Sequence, residues 1–286
     1  MEYYIVIPAH NEEAFLEETL RSITTQTLLP KKAIIVNDHS TDGTENIIDR
    51  YCNTHGFFTK LNTSSSDEHL PGSKVINAFR KGHDLLDDSY DFIVKLDADL
   101  ILPENYFETI AKVFQQDPKI GLAGGFVYEL DANNLWTLNH PMDKKHVRGA
   151  FKAYTKACFK AIGGLKNKMG WDTMDELLTQ YHGFDIKTIA GLKVKHLRPT
   201  GKAYNAKAKL MQGEAMYAMD YGFWLALIAS SKMAFKQKNP KILYHNMKGF
   251  FKAKGEQLPK MVSPEEGIFI RQLRWRGIKK KLIGRK

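Results

Sequence analysis

The sequence predicts an α/β protein built on a mainly parallel sheet with helices on both faces, followed by a helical extension. Three observations carry this expectation. Over the first hundred residues, short apolar runs alternate with segments whose apolar residues recur at helical spacing. Carboxylates stand at the ends of two of these runs, Asp38 after "KAIIVN" and Asp97 and Asp99 after "FIVKL". From Ala206 onward the strand signals stop and basic, helix-forming sequence takes over.

Each element follows from local pattern. "YYIVIPA" is an apolar strand closed by Pro8. "NEEAFLEETLRSITTQ" reads as a helix capped by Asn11, with Phe15, Leu16, Leu20 and Ile23 on one face. "KAIIVND" is a second strand, and "STDGTENIIDRYCNTHG" a helix closed by Gly56. "FFTKLN" is a third strand, followed by a polar loop from Thr63 to Gly72 and a helix around "KVINAFRKGHDLL". "DFIVKLDAD" is the fourth strand, with Asp97 and Asp99 on one side of it because residues i and i+2 share a face. A helix over "ENYFETIAKVFQQD" and a strand over "IGLAGGFVYEL" come next, then polar, irregular chain from Asp131 to His146. "VRGAFKAYTKACFKAIGGL" passes from strand to helix and stops at Gly163-Gly164, "GWDTMDELLTQYHGF" is a helix, and "KVKHLRPTG" a short strand and turn. This divides the chain into an α/β domain over 1–205, with halves at about 1–103 and 104–205, and a basic helical extension over 206–286.

Composition narrows the class. Hydrophobic residues at 43% and charged residues at 26% suit a globular chain with a sizeable core. The two cysteines, Cys52 and Cys158, give neither a disulfide framework nor a zinc cluster, and point to a reducing compartment. The start "MEYYIVIPAHNEE" lacks the basic n-region of a signal peptide, so a cytoplasmic protein is expected, or one peripheral on the cytoplasmic face of the inner membrane. The net charge of +10 resides entirely in Lys241 to Lys286, which hold 13 Lys/Arg against 3 Asp/Glu; the first 240 residues are balanced. Such a tail suits an anionic partner, a lipid headgroup surface or nucleic acid, or is a solvated helical extension with no partner. A neutral body with acidic strand ends argues against nucleic acid as partner. The most apolar segment offers only 11 uncharged residues between Asp220 and Lys232, against the ~20 a spanning helix requires.

The acidic positions carry the chemistry. A D-x-D at a strand end has a physical use, since Mg²⁺ or Mn²⁺ takes one or two carboxylates together with substrate phosphates; a polar turn with Asp99 as cap is the plainer use. Asp38 either reads a nucleobase N–H or organises its turn. Lys74, at a helix start, can meet phosphate or base carbonyls. Asp172 reads as a helix N-cap with Asp175 completing a capping box, and Glu176 lies one turn on. A carboxylate kept ionised at a helix start can also act as general base. A nucleotidyltransferase with the same metal site, or a non-enzymatic protein binding anionic surfaces, are the alternatives; the former usually opens on a glycine-rich phosphate loop, and "IPAHNEE" has no glycine.

Taken in order, "IVIPAHNEE", "VNDHSTDGT", "PGSKVINAFRKG", "KLDADL" and "GGLKNKMGWDTMDELLTQYHGF" resemble the successive motifs of family 2 glycosyltransferases with the GT-A fold, over roughly Tyr3 to Gly201. The resemblance is to members that build bacterial cell-surface polysaccharide or lipopolysaccharide. It implies inverting transfer of a sugar from a nucleotide-diphosphate donor, UDP-sugar favoured, to a hydroxyl of a glycan or lipid-linked acceptor, with Mg²⁺ or Mn²⁺ as cofactor. By the same resemblance Pro8, Ala9, Glu12, Asp38, Lys74 and Asp97 bind the nucleotide-sugar and Asp99 holds the metal, with Asp97 and His196 as further metal candidates. Asp172 is implied as the base, with Asp175 and Glu176 as rivals. The chain departs from the pattern in having Asn37-Asp38 for two aspartates and Trp171-Asp172 for Glu-Asp. "RQLRW" is similar to the Q-x-x-R-W motif of processive polysaccharide synthases, but Arg271 takes the glutamine's place and no spanning helix is read nearby, so the motif is discounted.

Overall fold

A computed structural model describes residues 1–64, 73–139, 145–198 and 208–284. The chain forms two compact units: one comprises 1–69, 74–165 and 182–200, the other 70–73, 166–181 and 201–286.

The first unit is a nine-stranded sheet with helices. It contains β1 (Tyr3–Ala9), α1 (Leu16–Thr24), β2 (Lys32–Asp38), α2 (Thr44–Thr54), β3 (Phe58–Thr63), α3 (Ser73–His83), β4 (Phe92–Leu96), β5 (Leu100–Ile101), α4 (Tyr106–Gln116), β6 (Ile120–Leu130), β7 (Trp136–Leu138), β8 (Phe151–Thr155), α5 (Lys156–Ala161) and β9 (Asp185–His196). Strand order is β3-β2-β1-β4-β8-β6-β9-β5, with β7 beside β6. The four strands β3, β2, β1 and β4 run parallel, as the alternation of strands and helices demands. β8 pairs antiparallel with both β4 and β6, while β6 and β9 run parallel.

Burial explains the sequence of β1. It is covered on both edges and both faces, and Tyr3 to Ile7 are fully buried. On one face Tyr3 stacks on Phe92 at 4.8 Å and meets Phe107 of α4 at 4.7 Å. On the other, α3 approaches so closely at Gly82 that a Cβ there would stand 2.6 Å from Val6 Cγ1 and 2.7 Å from Val36 Cγ2. Pairing of β1 with β4 ends at Val6, whereas pairing with β2 continues to Ala9. The sheet therefore parts between the carboxyl ends of β1 and β4. This is the switch point where ligands of open α/β sheets gather.

The second unit is helical: α6 (Trp171–Tyr181), α7 (Ala208–Ala218), α8 (Gly222–Lys236), α9 (Lys241–Gly255) and α10 (Pro264–Ile283). Two glycines let α7 and α9 cross at backbone contact, Gly213 against the Asn246 carbonyl and Gly249 against that of Leu210. α10 begins with a full capping box, in which Ser263 and Glu266 satisfy each other's backbone N–H, and has Pro264 in its first turn. Asp220 anchors it: its carboxylate pairs with Arg271 and, at 3.1 Å, with Lys260. Among the described residues no helix is long and apolar enough to cross a membrane.

Several local expectations are corrected. Asn11 is not a helix cap; it adopts a left-handed φ of 53°, its Oδ1 accepts the Thr41 N–H at 2.8 Å, and α1 begins only at Leu16. Asp172 does not cap α6 either, because the helix already includes Trp171; Gly170, at φ 84°, supplies the carbonyl that accepts the Met174 N–H. The irregular stretch after Asp131 contains β7, three residues added to the edge of β6. Asp97 and Asp99 follow β4 in a connection to β5 rather than lying in a strand. The apolar run through Tyr221 and Trp224 is split into α7 and α8 at Asp220 and Gly222, both at positive φ. The polar loop expected at 63–72 and the turn after His196 lie largely outside the described residues.

Candidate active site

The Asp97-Ala98-Asp99 segment is held from three directions. The Asp97 N–H donates to the Ala150 carbonyl at 2.8 Å, just before β8. Thr19 of α1, fully buried, donates its hydroxyl to the Ala98 carbonyl at 2.8 Å and accepts the Leu100 N–H at 2.9 Å. The Asp99 carbonyl accepts the Leu197 N–H at 2.9 Å. A turn so tied holds its side chains in place at little entropic cost when a ligand arrives.

The two aspartates have separate partners. Asp97 pairs with Lys95, a buried lysine two residues back on β4. Asp99 receives His196, whose Nε2 is 3.3 Å from Oδ2, and Arg198, whose Nε is 3.8 Å from the same oxygen. The register of β5 on β9 produces this, since Leu100 lies opposite His196. Arg198 also pairs with Glu12, which follows β1 on the other side of the switch point. Burial, opposed by Arg198 and reinforced by the charges of Asp99 and Asp97, pushes the Glu12 carboxyl up to about 7. For His196, burial acts to lower the pKa, but the hydrogen bonds and charges of Asp99, Glu129 and Asp97 outweigh it and hold the ring above its ordinary value.

Oδ1 of Asp99 is buried and has no hydrogen-bond partner among the described residues. Leaving a carboxylate oxygen so costs about 1–3 kcal/mol or more, which folding seldom concedes without a use. No group of three or more His, Cys, Asp or Glu side chains forms a ready cage among the described residues. A hard divalent ion needs none, because it binds one or two carboxylates and completes its shell with phosphate and water. The free Asp99 oxygen and the neighbouring imidazole therefore fit Mg²⁺ or Mn²⁺.

Of the remaining predicted positions of this unit, Pro8, Ala9 and Asp38 stand at the carboxyl ends of β1 and β2. Pro8 and Ala9 pair in register with Val36 and Asn37, beside buried Asp38. The Asp38 carbonyl accepts a hydrogen bond from His10 Nδ1 at 2.6 Å, and Asn37 Oδ1 accepts the Ser40 N–H at 3.3 Å, so the turn after β2 is internally braced. Lys74 is half-buried in the first turn of α3. Asp172, Asp175 and Glu176 belong to the second unit, on α6. There Asp172 is half-buried, whereas Asp175 and Glu176 are buried and Asp175 Oδ1 accepts the Glu176 N–H at 2.6 Å.

Residues 4–198 match the sequence profile of glycosyl transferase family 2. The chain belongs to this family. The family it joins is one of glycosyltransferases. Among curated relatives, a poly-β-1,6-N-acetyl-D-glucosamine synthase of Staphylococcus epidermidis is 27% identical over 121 residues, 42% of this chain and 27% of the synthase. The match thus spans about a quarter of the length of that relative. Among solved structures, the mannosyltransferase PcManGT of Pyrobaculum calidifontis, in complex with GDP-Man and Mn²⁺, superposes with TM-score 0.58 at 16% identity, over 97% of this chain and 80% of that one. Staphylococcus aureus TarS 1–349 in complex with UDP-GlcNAc gives TM-score 0.60 at 16% identity, over 84% and 75%. At such identities the likeness is one of fold, and the fold is GT-A-like.

Reading the residues alone missed Thr19, Glu129 and Arg198. Glu129 had left a signal, a carboxylate in the apolar run "GGFVYEL", where a charge must be paired.

Proposed function

We propose that the protein is an inverting glycosyltransferase that moves a sugar from a nucleotide-diphosphate sugar, UDP-sugar favoured, to a hydroxyl of a glycan or lipid-linked acceptor. The observation that carries this is the buried Asp99 oxygen, without a hydrogen-bond partner among the described residues, at the switch point of a family 2 chain. Support for the donor class comes from related folds bound to GDP-Man with Mn²⁺ and to UDP-GlcNAc. Support for a cell-surface glycan product comes from the similarity to poly-β-1,6-N-acetyl-D-glucosamine synthases.

In this reading Pro8, Ala9 and Glu12 line the nucleoside pocket, Asp38 reads the base, Lys74 meets phosphate and Asp97 faces the ribose. Asp99, with His196 and Asp97 as further candidates, holds a divalent ion, whose chemistry is to neutralise charge on the departing diphosphate. Asp172 takes the proton from the acceptor hydroxyl as that oxygen attacks the anomeric carbon from the face opposite the leaving nucleotide, which inverts the configuration. Binding both substrates in line supplies much of the remaining acceleration.

Thermal unfolding with UDP, GDP and dTDP, each with and without Mn²⁺, tests the donor reading. One nucleotide at about 100 Kd is expected to raise Tm by roughly 5 °C in the presence of Mn²⁺ and much less in its absence. Indifference to all three nucleotides with Mn²⁺ present would sink it.

The basic tail is proposed to rest on an anionic membrane. One face of α10 lines a groove of about 660 Å³ with Arg271, Arg276 and Lys279 beside Ile268 and Trp275. Trp224 and Phe235 of α8 and Tyr244 and Phe251 of α9 are also exposed. Each cation near such a surface contributes about 1 kcal/mol, screened by salt. Retention on phosphatidylserine vesicles at low salt, lost at high salt and absent on phosphatidylcholine, is the expected result. A protein that stays in solution at low salt beside anionic vesicles rules the contact out.

A further inference from the structure

Beneath His196 stands a second carboxylate. β6 and β9 run parallel, with Val127 opposite Val194 and Tyr128 opposite Lys195, so the next residues along, Glu129 and His196, become neighbours. His196 Nδ1 is 3.2 Å from Glu129 Oε1, while its Nε2 faces Asp99. Glu129 is itself fixed: Asn139 Nδ2 donates to its Oε2 at 2.6 Å, and Arg148 lies 3.9 Å from Oε1 and donates to the Asn139 carbonyl at 3.4 Å. Glu129 and His196 are both buried, with 9% and 8% of their surface exposed.

We propose that Glu129 is a positioning residue that commits the Nδ1–H of His196 and so leaves the lone pair of the neutral ring on Nε2, aimed at the cation that Asp99 holds. This rests on the metal-dependent reading above. A carboxylate behind a ligating histidine fixes its tautomer and ring plane and raises its basicity. The plainer role, an internal ion-pair partner for Arg148, leaves the imidazole free to choose either tautomer and makes no demand on metal affinity.

The two roles separate in Mn²⁺ binding by the full chain, read as free Mn²⁺ by electron paramagnetic resonance with UDP or GDP present. Glu129→Gln, which keeps size and most hydrogen bonds, is expected to weaken Mn²⁺ binding 10–100-fold. Because Glu129 acts through His196, Glu129→Gln added to His196→Gln is expected to cost nothing further. An affinity within twofold of wild type in the single variant, or a full additional loss in the double variant, overturns the proposal. Should Glu129→Gln fail to fold, nitrogen-15 spectra of wild type with Mg²⁺ and nucleotide decide it: a protonated Nδ1 on His196 is expected, and a protonated Nε2 overturns it. Wild type that binds no Mn²⁺ with either nucleotide takes the metal-dependent reading down as well, whereas normal wild-type binding with an unaffected Glu129→Gln defeats this inference alone.

Discussion

Asp99→Asn is expected to lower sugar transfer by about 10³-fold or more and to abolish the Mn²⁺-dependent part of nucleotide binding. The buried Oδ1 of Asp99 has no hydrogen-bond partner among the described residues, which leaves its charge open to a ligand. Removing that charge leaves the developing diphosphate uncompensated, a loss of several kcal/mol at about 1.4 kcal/mol per decade. The fold is expected to survive. His196 keeps Glu129, Arg198 keeps Glu12, and the backbone bonds that hold the turn involve Asp97, Ala98, Leu100 and the Asp99 carbonyl, none of which changes. Isothermal titration with nucleotide, with and without Mn²⁺, alongside a transfer assay checks this. A variant that binds nucleotide with undiminished Mn²⁺ dependence would remove Asp99 as the ligand and leave Asp97 and His196 to explain the metal.

Asp172→Asn is expected to cost 10²–10⁴-fold in kcat while donor affinity stays within about twofold of wild type, the range a general base contributes. The contrast with Asp99→Asn is the diagnostic, because one variant loses binding and chemistry together and the other loses chemistry alone. Among the three carboxylates of α6, Asp172 is the most accessible, and a base must reach an acceptor that enters from solvent. Asp175 is engaged by the Glu176 N–H within the helix. Asparagine preserves the size of Asp172, so loss of activity with unchanged melting temperature reads as lost chemistry. Full transfer by Asp172→Asn would move the role to Asp175 or Glu176.

Much of the fold was legible because parallel α/β structure announces itself locally. "YYIVI" and "KAIIV" are continuous apolar runs, as strands covered on both faces must be, and the helices between them carry one apolar stripe each. Helix starts were read less well. Asn11 was expected to cap α1 by its residue type, but its side-chain Oδ1 found the Thr41 N–H, 30 residues away, and the helix began five residues later. Asp172 met a similar outcome, since Gly170 at positive φ let the helix start ahead of it. The carboxylates at strand ends were legible for a simple reason. A charge directly after a buried strand has few places to go except the sheet's rim, and in such sheets the rim is where ligands bind.

The sequence by itself determined the alternation of strands and helices, the carboxylates that close β2 and β4, and the concentration of positive charge in the last 46 residues. Only the tertiary structure decided which charges meet. Glu129 reaches His196 across 67 residues, and Arg198 reaches Glu12 across 186. Local periodicity dictates which face of a strand a side chain takes, whereas its neighbour on that face depends on strand order and register. Those are settled by burying the whole sheet at once.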